Sequence, residues 1–310
     1  MKKLRIVFNF EKEIFYLFCF LNLTGYNVEN NTDGMHPFRK FIRRELKNKI
    51  EISNYLTLKN HILKKHQGQF VQWLLQKKYN QRGLSKFYSK KEFSFFNGFD
   101  MHFREFIIKE KNKLSGLKFK NVYSIERKKQ KKRIIAELNN LMRKLNLNFG
   151  LLHLNKIVIA PNLLDAYGYG YGPKVGKTSF IVYGPLRDKN LRLITHEFLH
   201  SVVNSIISNN KKFLQRIRRF NNNKLDKKHK DVAYSDWPVF IEEYLVRAID
   251  IKMSNLRFSD KEEILKEEEK KGFKNIKKMQ LLLKKRYKEN ELLDILGDIF
   301  NNIEEYVYNQ

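Results

Sequence analysis

The residues His196-Glu197-Phe198-Leu199-His200 form an H-E-x-x-H run. Residues four apart stand one turn apart on the same helical face, so two imidazoles can converge on one divalent ion while Glu197 lies beside it to handle a proton. That is the chemistry of a zinc hydrolase. Leu193, Ile194, Leu199, Val202, Val203 and Ile206 supply the apolar backing that a buried helix carrying such a site needs. A structural zinc takes four protein ligands, whereas a catalytic one takes three and leaves a position for water. Cys19 is the single cysteine, so no intrachain disulfide and no Cys-rich zinc framework is available, and the donors must be His and carboxylates.

A third ligand has to come from elsewhere in the chain. A metzincin would place Gly at position 203 and His at position 206, where this chain has Val203 and Ile206. An acid on a later helix remains, and the segment Phe240 to Ala248 offers Glu242 and Glu243. Helical period alone does not separate them. Arg247, four residues beyond Glu243, is spaced to hold that carboxylate, which favours Glu243 as the ligand; on its own the pair would read as an ordinary salt bridge of a helix surface. Zinc on His196, His200 and Glu243 would make a bound water more acidic. Glu197 would take the proton and return it to the leaving amine of a cleaved peptide. Tyr234, shortly before the third-ligand helix, is the candidate for an additional hydrogen-bond donor to the developing oxyanion.

His196 to Asn204, together with Trp237 and Glu243-Tyr244-Leu245-Val246-Arg247-Ala248, resembles the bacterial family called domain of unknown function 4932, a resemblance that implies a gluzincin-type zinc metallopeptidase. The resemblance places that family's glutamate on Glu243 and its arginine on Arg247, with Glu242 standing where the family has asparagine. Gly170-Tyr171-Gly172-Pro173 and Val182-Tyr183-Gly184-Pro185 are similar to its strands before the zinc helix. The likeness is specific from about residue 155 to 250 and diffuse at both ends. It implies a zincin-like metallopeptidase core within a mainly helical α+β fold, with a small β-sheet before the HExxH helix.

The elements that must position these residues can be read from the hydrophobic pattern. Leu4 to Phe10 reads as an opening strand, followed by a helix over Ile14 to Leu23 that Gly25 stops. From Pro37 to about Lys113 the pattern is helical, with Gly68, Gly83 and Gly98 as expected breaks or weak points. The basic run Lys128 to Arg133 leads into an amphipathic helix carrying Ile134, Leu138, Leu141 and Leu145. Leu154 to Pro161 and Thr178 to Gly184 read as two buried strands, the second of which could lend an edge to an extended peptide. Asp188 is the expected N-cap of the HExxH helix, which runs to about Ile207. The segment from Asn209 to Lys230 reads as an insertion or exposed helical hairpin, and Pro238 opens the third-ligand helix. Ser259 to Gln310 reads as two or three further helices. Three regions follow: 1–150, mainly helical and packed on the core; 151–255, the metallopeptidase core; and 256–310, a helical C-terminal region.

The chain has 310 residues and 42% hydrophobic side chains, enough to bury one large core or two modest ones, which argues against collagenous, mucin-like and disordered classes. Its formal charge of +29 is spread along the whole sequence instead of gathered in one stripe, so it reads as compositional bias more than as a nucleic-acid footprint. The longest apolar run, Ile14 to Leu23, is ten residues and is preceded by Glu11, Lys12 and Glu13. It is too short to span a bilayer and wrongly flanked for a signal peptide, so the expectation is a cytoplasmic protein without a membrane span. Gly172 to Thr178 approaches a phosphate-binding loop but has three residues between its glycines where four are needed, and a strand follows where a helix N-terminus is required. The expected function is therefore zinc-dependent hydrolysis of a peptide or protein substrate. The alternative is a catalytically inactive zincin-fold basic protein that binds nucleic acid or acidic partners.

Overall fold

A computed structural model describes residues 4–25, 35–51, 62, 65–90, 93–117, 119–145, 154–186, 191–218, 237–273 and 275–286. The chain divides into two compact units, one built from Lys2–Ile135 with Leu154–Ile194 and the other from Ala136–His153 with Thr195–Gln310.

The first unit holds the sheet. Its strands are β1 (Arg5–Phe8), β2 (Lys156–Pro161), β3 (Gly170–Tyr171), β4 (Lys174–Val175) and β5 (Thr178–Tyr183). β1, β2 and β5 run parallel, with Ile6 opposite Ile157 and Val158 opposite Phe180. β3 and β4 pair antiparallel along the other side of β5. Ile157 to Ala160 and Phe180 to Tyr183 are buried without alternation, as expected of strands covered on both faces. β5 therefore differs from the edge strand that its position before the HExxH helix had suggested. Its partners are β2 on one side and the two short strands on the other, and the amide of Phe180 donates to the Pro173 carbonyl between them at 2.9 Å. Its main chain is already engaged, so no extended peptide can pair there without displacing the glycine-rich segment.

Helices α1 (Lys12–Leu23), α2 (Pro37–Lys49), α3 (Gln67–Tyr79), α4 (Leu84–Tyr88) and α5 (Phe95–Ser115) complete this unit, with the first part of α6 (Phe119–Lys144). Every residue of α1 from Ile14 to Leu23 is buried, so the longest apolar run is a helix covered all round. Phe20 meets Phe99 and Phe106 edge-on, and Trp73 meets Phe99 likewise, which gathers the aromatic side chains of α1, α3 and α5 into one core. Gly98 lies inside α5 without breaking it. α6 begins well before the expected start and carries the basic run within it, because Lys, Arg and Gln are strong helix formers. Gln130, Ile134, Leu138 and Leu141 form its buried line, while Arg127, Lys128, Lys131 and Lys132 face solvent.

Two local features fix the loop after β2. A Cβ on Gly184 would overlap the Ala166 carbonyl oxygen, so only glycine fits where the end of β5 passes this loop. Beside it, Asp165 is buried. It accepts from the Ala166 amide at 2.8 Å and from Asn162 Nδ2 at 3.4 Å, with Tyr171, Tyr123 and Arg39 also facing it. Burial outweighs these contacts and pushes its carboxyl up from 3.8 to about 6. The folded state thus holds the proton more tightly than the unfolded chain. Its stabilising contribution is complete below about pH 4 and is lost as pH rises through about 6. Acidification from pH 7.5 to 5 should add about 1.4 kcal/mol to stability through this group. In urea unfolding at the two pH values, Asp165→Asn should lack that increment; an equal pH dependence in both proteins would refute it.

The second unit contains the remainder of α6 and, from Thr195 onward, α7 (Arg192–Asn209), followed by α8 (Lys211–Arg218), α9 (Trp237–Met253), α10 (Phe258–Lys270) and α11 (Ile276–Arg286). Phe198, Leu199, Val202 and Val203 of α7 are buried, as are Phe240, Ile241, Tyr244, Leu245, Ala248 and Ile249 of α9. Thr195 Oγ1 donates to Asp250 Oδ1 at 2.9 Å and ties the two helices at one end. Lys144 reaches the Met253 carbonyl at 2.8 Å and holds the end of α6 against the end of α9. The expected N-cap Asp188 and most of the Asn- and Lys-rich segment lie outside the described residues. Among the described residues no helix is long and apolar enough to cross a membrane.

Candidate metal centre

The period of α7 sets the first two donors. His196 and His200 are separated by one turn, and their rings lie 5.0 Å apart, nearly perpendicular. α9 brings in the third. Glu243 Oε1 is 3.6 Å from His196 Nε2, and Glu243 Oε2 is 3.2 Å from His200 Nε2. Ligand atoms of the three residues all lie within 4.8 Å of one another, and this group could hold a metal ion. The donor set suits one: bonds of 2.0–2.2 Å to nitrogen and oxygen in a tetrahedron put neighbouring donors about 3.4 Å apart. The two observed separations bracket that spacing.

Two of the three ligands, Glu243 and His200, are held from behind. Arg247 is one turn beyond Glu243 on α9, and its Nη2 lies 2.6 Å from Glu243 Oε1. Its Nη1 lies 2.6 Å from Oε2 of Glu268 on α10. Glu268 is buried and receives Lys271 as well, at 2.9 Å. The guanidinium also covers the ring of Phe273, 4.8 Å from its centroid, and that ring stacks on Phe240 of α9. Glu242 acts on the other side of His200: its Oε1 is 3.0 Å from Nδ1. Glu242 and Glu243 thus address opposite nitrogens of one imidazole, and the group facing the metal position includes Glu243 and not Glu242.

The electrostatics follow from burial and these pairs. Burial alone would raise Glu243, but the imidazoles of His196 and His200 override it and hold the carboxyl well below its usual range. Burial would lower His200; Glu242 and Glu243 override it and push the imidazole well up. Glu197 is buried, next to His196 in the turn of α7 that separates the two histidines. Burial raises its carboxyl, with Glu243 adding to the effect and the two histidines and Arg247 opposing it.

The match to a family model covers residues 120–307, more than half the chain, and the family is described as a domain of unknown function (DUF4932). The chain belongs to the DUF4932 family. No curated protein and no solved structure matches it. The His196, His200 and Glu243 group lies wholly inside the DUF4932 segment, as do its supports Glu242, Arg247 and Glu268.

Of the residues singled out from sequence, His196, Glu197, His200, Glu243 and Arg247 come together. Tyr234 lies outside the described residues. Two supports were missed. Glu268 looks like one more acid in the run Lys261 to Lys270; the available signal was its place three residues after Leu265, on the buried side of α10. Asn204 donates to Glu242 Oε2 at 2.8 Å, and the signal for it was its place one turn beyond His200.

Proposed function

We propose that this DUF4932 protein is a zinc-dependent peptidase with a zincin-like core. The observation that carries the reading is the convergence of His196, His200 and Glu243, with Glu197 in the helical turn between the two imidazoles. Two neutral nitrogens and one carboxylate oxygen are the donor set of a catalytic zinc site with a position left for substrate or water. When bound, zinc supplies Lewis acidity that polarises a carbonyl and makes a water easier to deprotonate. The protein's own groups do the rest. Glu197 accepts the proton from the attacking water and delivers it to the departing amine nitrogen. Arg247 aims Glu243, and Glu268 fixes Arg247.

The test is zinc titration of metal-stripped protein followed by native mass spectrometry, with cleavage of a mixed fluorogenic peptide set as the second readout. One zinc per chain is expected for the wild type and none for His200→Ala under the same conditions, with cleavage lost on chelation and restored by zinc. A wild type that takes up no zinc, or cleavage indifferent to chelation, would overturn the reading. Zinc uptake without cleavage of any peptide, accompanied by steeply salt-dependent retention on nucleic acid, would point instead to a binding protein using the exposed cations of α6.

A further inference from the structure

The zinc reading leaves unexplained why two adjacent acids of α9 both engage His200, and why one of them does so from the side away from the metal position. Glu242 Oε1 is 3.0 Å from His200 Nδ1, while Glu242 Oε2 accepts from Asn204 Nδ2 at 2.8 Å. Asn204 is itself oriented. Its Oδ1 accepts from Ser208 Oγ at 3.1 Å, which turns the amide so that its NH2 group faces Glu242. His200, Asn204 and Ser208 occupy successive turns of one face of α7.

We propose that Glu242 is a positioning residue for the metal site, the end of a hydrogen-bond relay from Ser208 through Asn204 that fixes His200 with its Nε2 lone pair toward the ion. The inference rests on the zinc reading above and adds to it the group that sets one ligand's tautomer and ring angle. A carboxylate accepting from Nδ1–H leaves Nε2 as the only lone pair of the neutral ring and makes that nitrogen a stronger donor. Because Glu242 is clamped by two groups on α7 one turn apart, it fixes the ring's rotation as well as its tautomer. The same contact ties α9 to α7, so the third ligand, Glu243, is brought to register with the first two by its sequence neighbour.

The test compares zinc affinity of wild type, Glu242→Gln, Glu242→Leu and Asn204→Ala by competition with a chromophoric chelator. Glutamine keeps an acceptor for Nδ1–H and is expected to bind within about threefold of wild type, whereas leucine removes it and should weaken binding about 10- to 100-fold. Asn204 is exposed, so its truncation leaves the fold intact, and it should weaken binding by about threefold through loss of one clamp on Glu242. In the zinc-loaded protein a slowly exchanging Nδ1–H resonance of His200 is expected in wild type and Glu242→Gln and not in Glu242→Leu. If Glu242→Leu fails to fold, Asn204→Ala decides, and affinity unchanged there overturns the proposal. Equal affinity for Glu242→Leu and wild type, or Glu242→Gln as weak as Glu242→Leu, also overturns it while leaving the zinc reading intact. A wild type that binds no zinc overturns both.

Discussion

Glu197→Gln should retain zinc and lose peptide cleavage by about 10²- to 10⁴-fold, the usual worth of a general base in the transition state. The amide has the shape of the carboxylate but cannot accept and return a proton. Glu197 is absent from the group that faces the metal position, so the substitution spares the donors His196, His200 and Glu243. It is buried, which already lifts its carboxyl above the ordinary range, and a neutral side chain is tolerated there without the cost of burying a charge. The check is kcat/KM on one peptide together with the zinc content of the same preparation. Cleavage at the wild-type rate with zinc bound would remove Glu197 from the chemistry, and loss of zinc would assign it a structural role.

Arg247→Met should destabilise the protein by about 3 kcal/mol, because breaking a buried ion pair from one side leaves its partners charged and desolvated. The guanidinium spans two carboxylates at 2.6 Å each, Glu243 on its own helix and Glu268 on α10. Glu268 keeps Lys271, which places the expected loss at the lower end of what such breaks cost. Arg247→Lys is the informative companion. A single ammonium cannot present two parallel donors to two separate carboxylates, so most of the loss should persist although the charge is kept. Urea unfolding of the metal-stripped proteins measures this. A lysine variant as stable as the wild type would show that charge alone, not the fork, holds the site.

The helices that carry the site were legible because their chemistry is local. Spacing of four put His196 and His200 on one face and placed Arg247 over Glu243, and both pairs stand as the period of α7 and α9 requires. The separation of Glu242 from Glu243 was not legible from period, since neighbouring residues on a helix differ by a rotation whose meaning depends on where the next helix lies. α7 supplies that meaning by meeting Glu242 with His200 and Asn204. Glu268 was hidden for a similar reason: its partner Arg247 stands on a different helix, α9, and its neighbours Glu267 and Glu269 are chemically identical to it. In the other unit the strands themselves were readable as β-branched runs. Their order was not, because the glycine-rich segment after β2 carries too few apolar residues to signal β3 and β4, and those two short pairings are what close off β5.

One feature of the sheet sets how this protein can be dissected. The DUF4932 match starts at residue 120, yet β1, at Arg5–Phe8, pairs along β2 from inside the unmatched part of the chain. A fragment trimmed to the matched segment would lay bare the main-chain donors and acceptors of Lys156 to Ile159 and strip away α1 with its ten buried residues. Such a bare, apolar strand is a template for association between copies. The boundary of the family and the boundary of a soluble expression product are therefore different places in this chain.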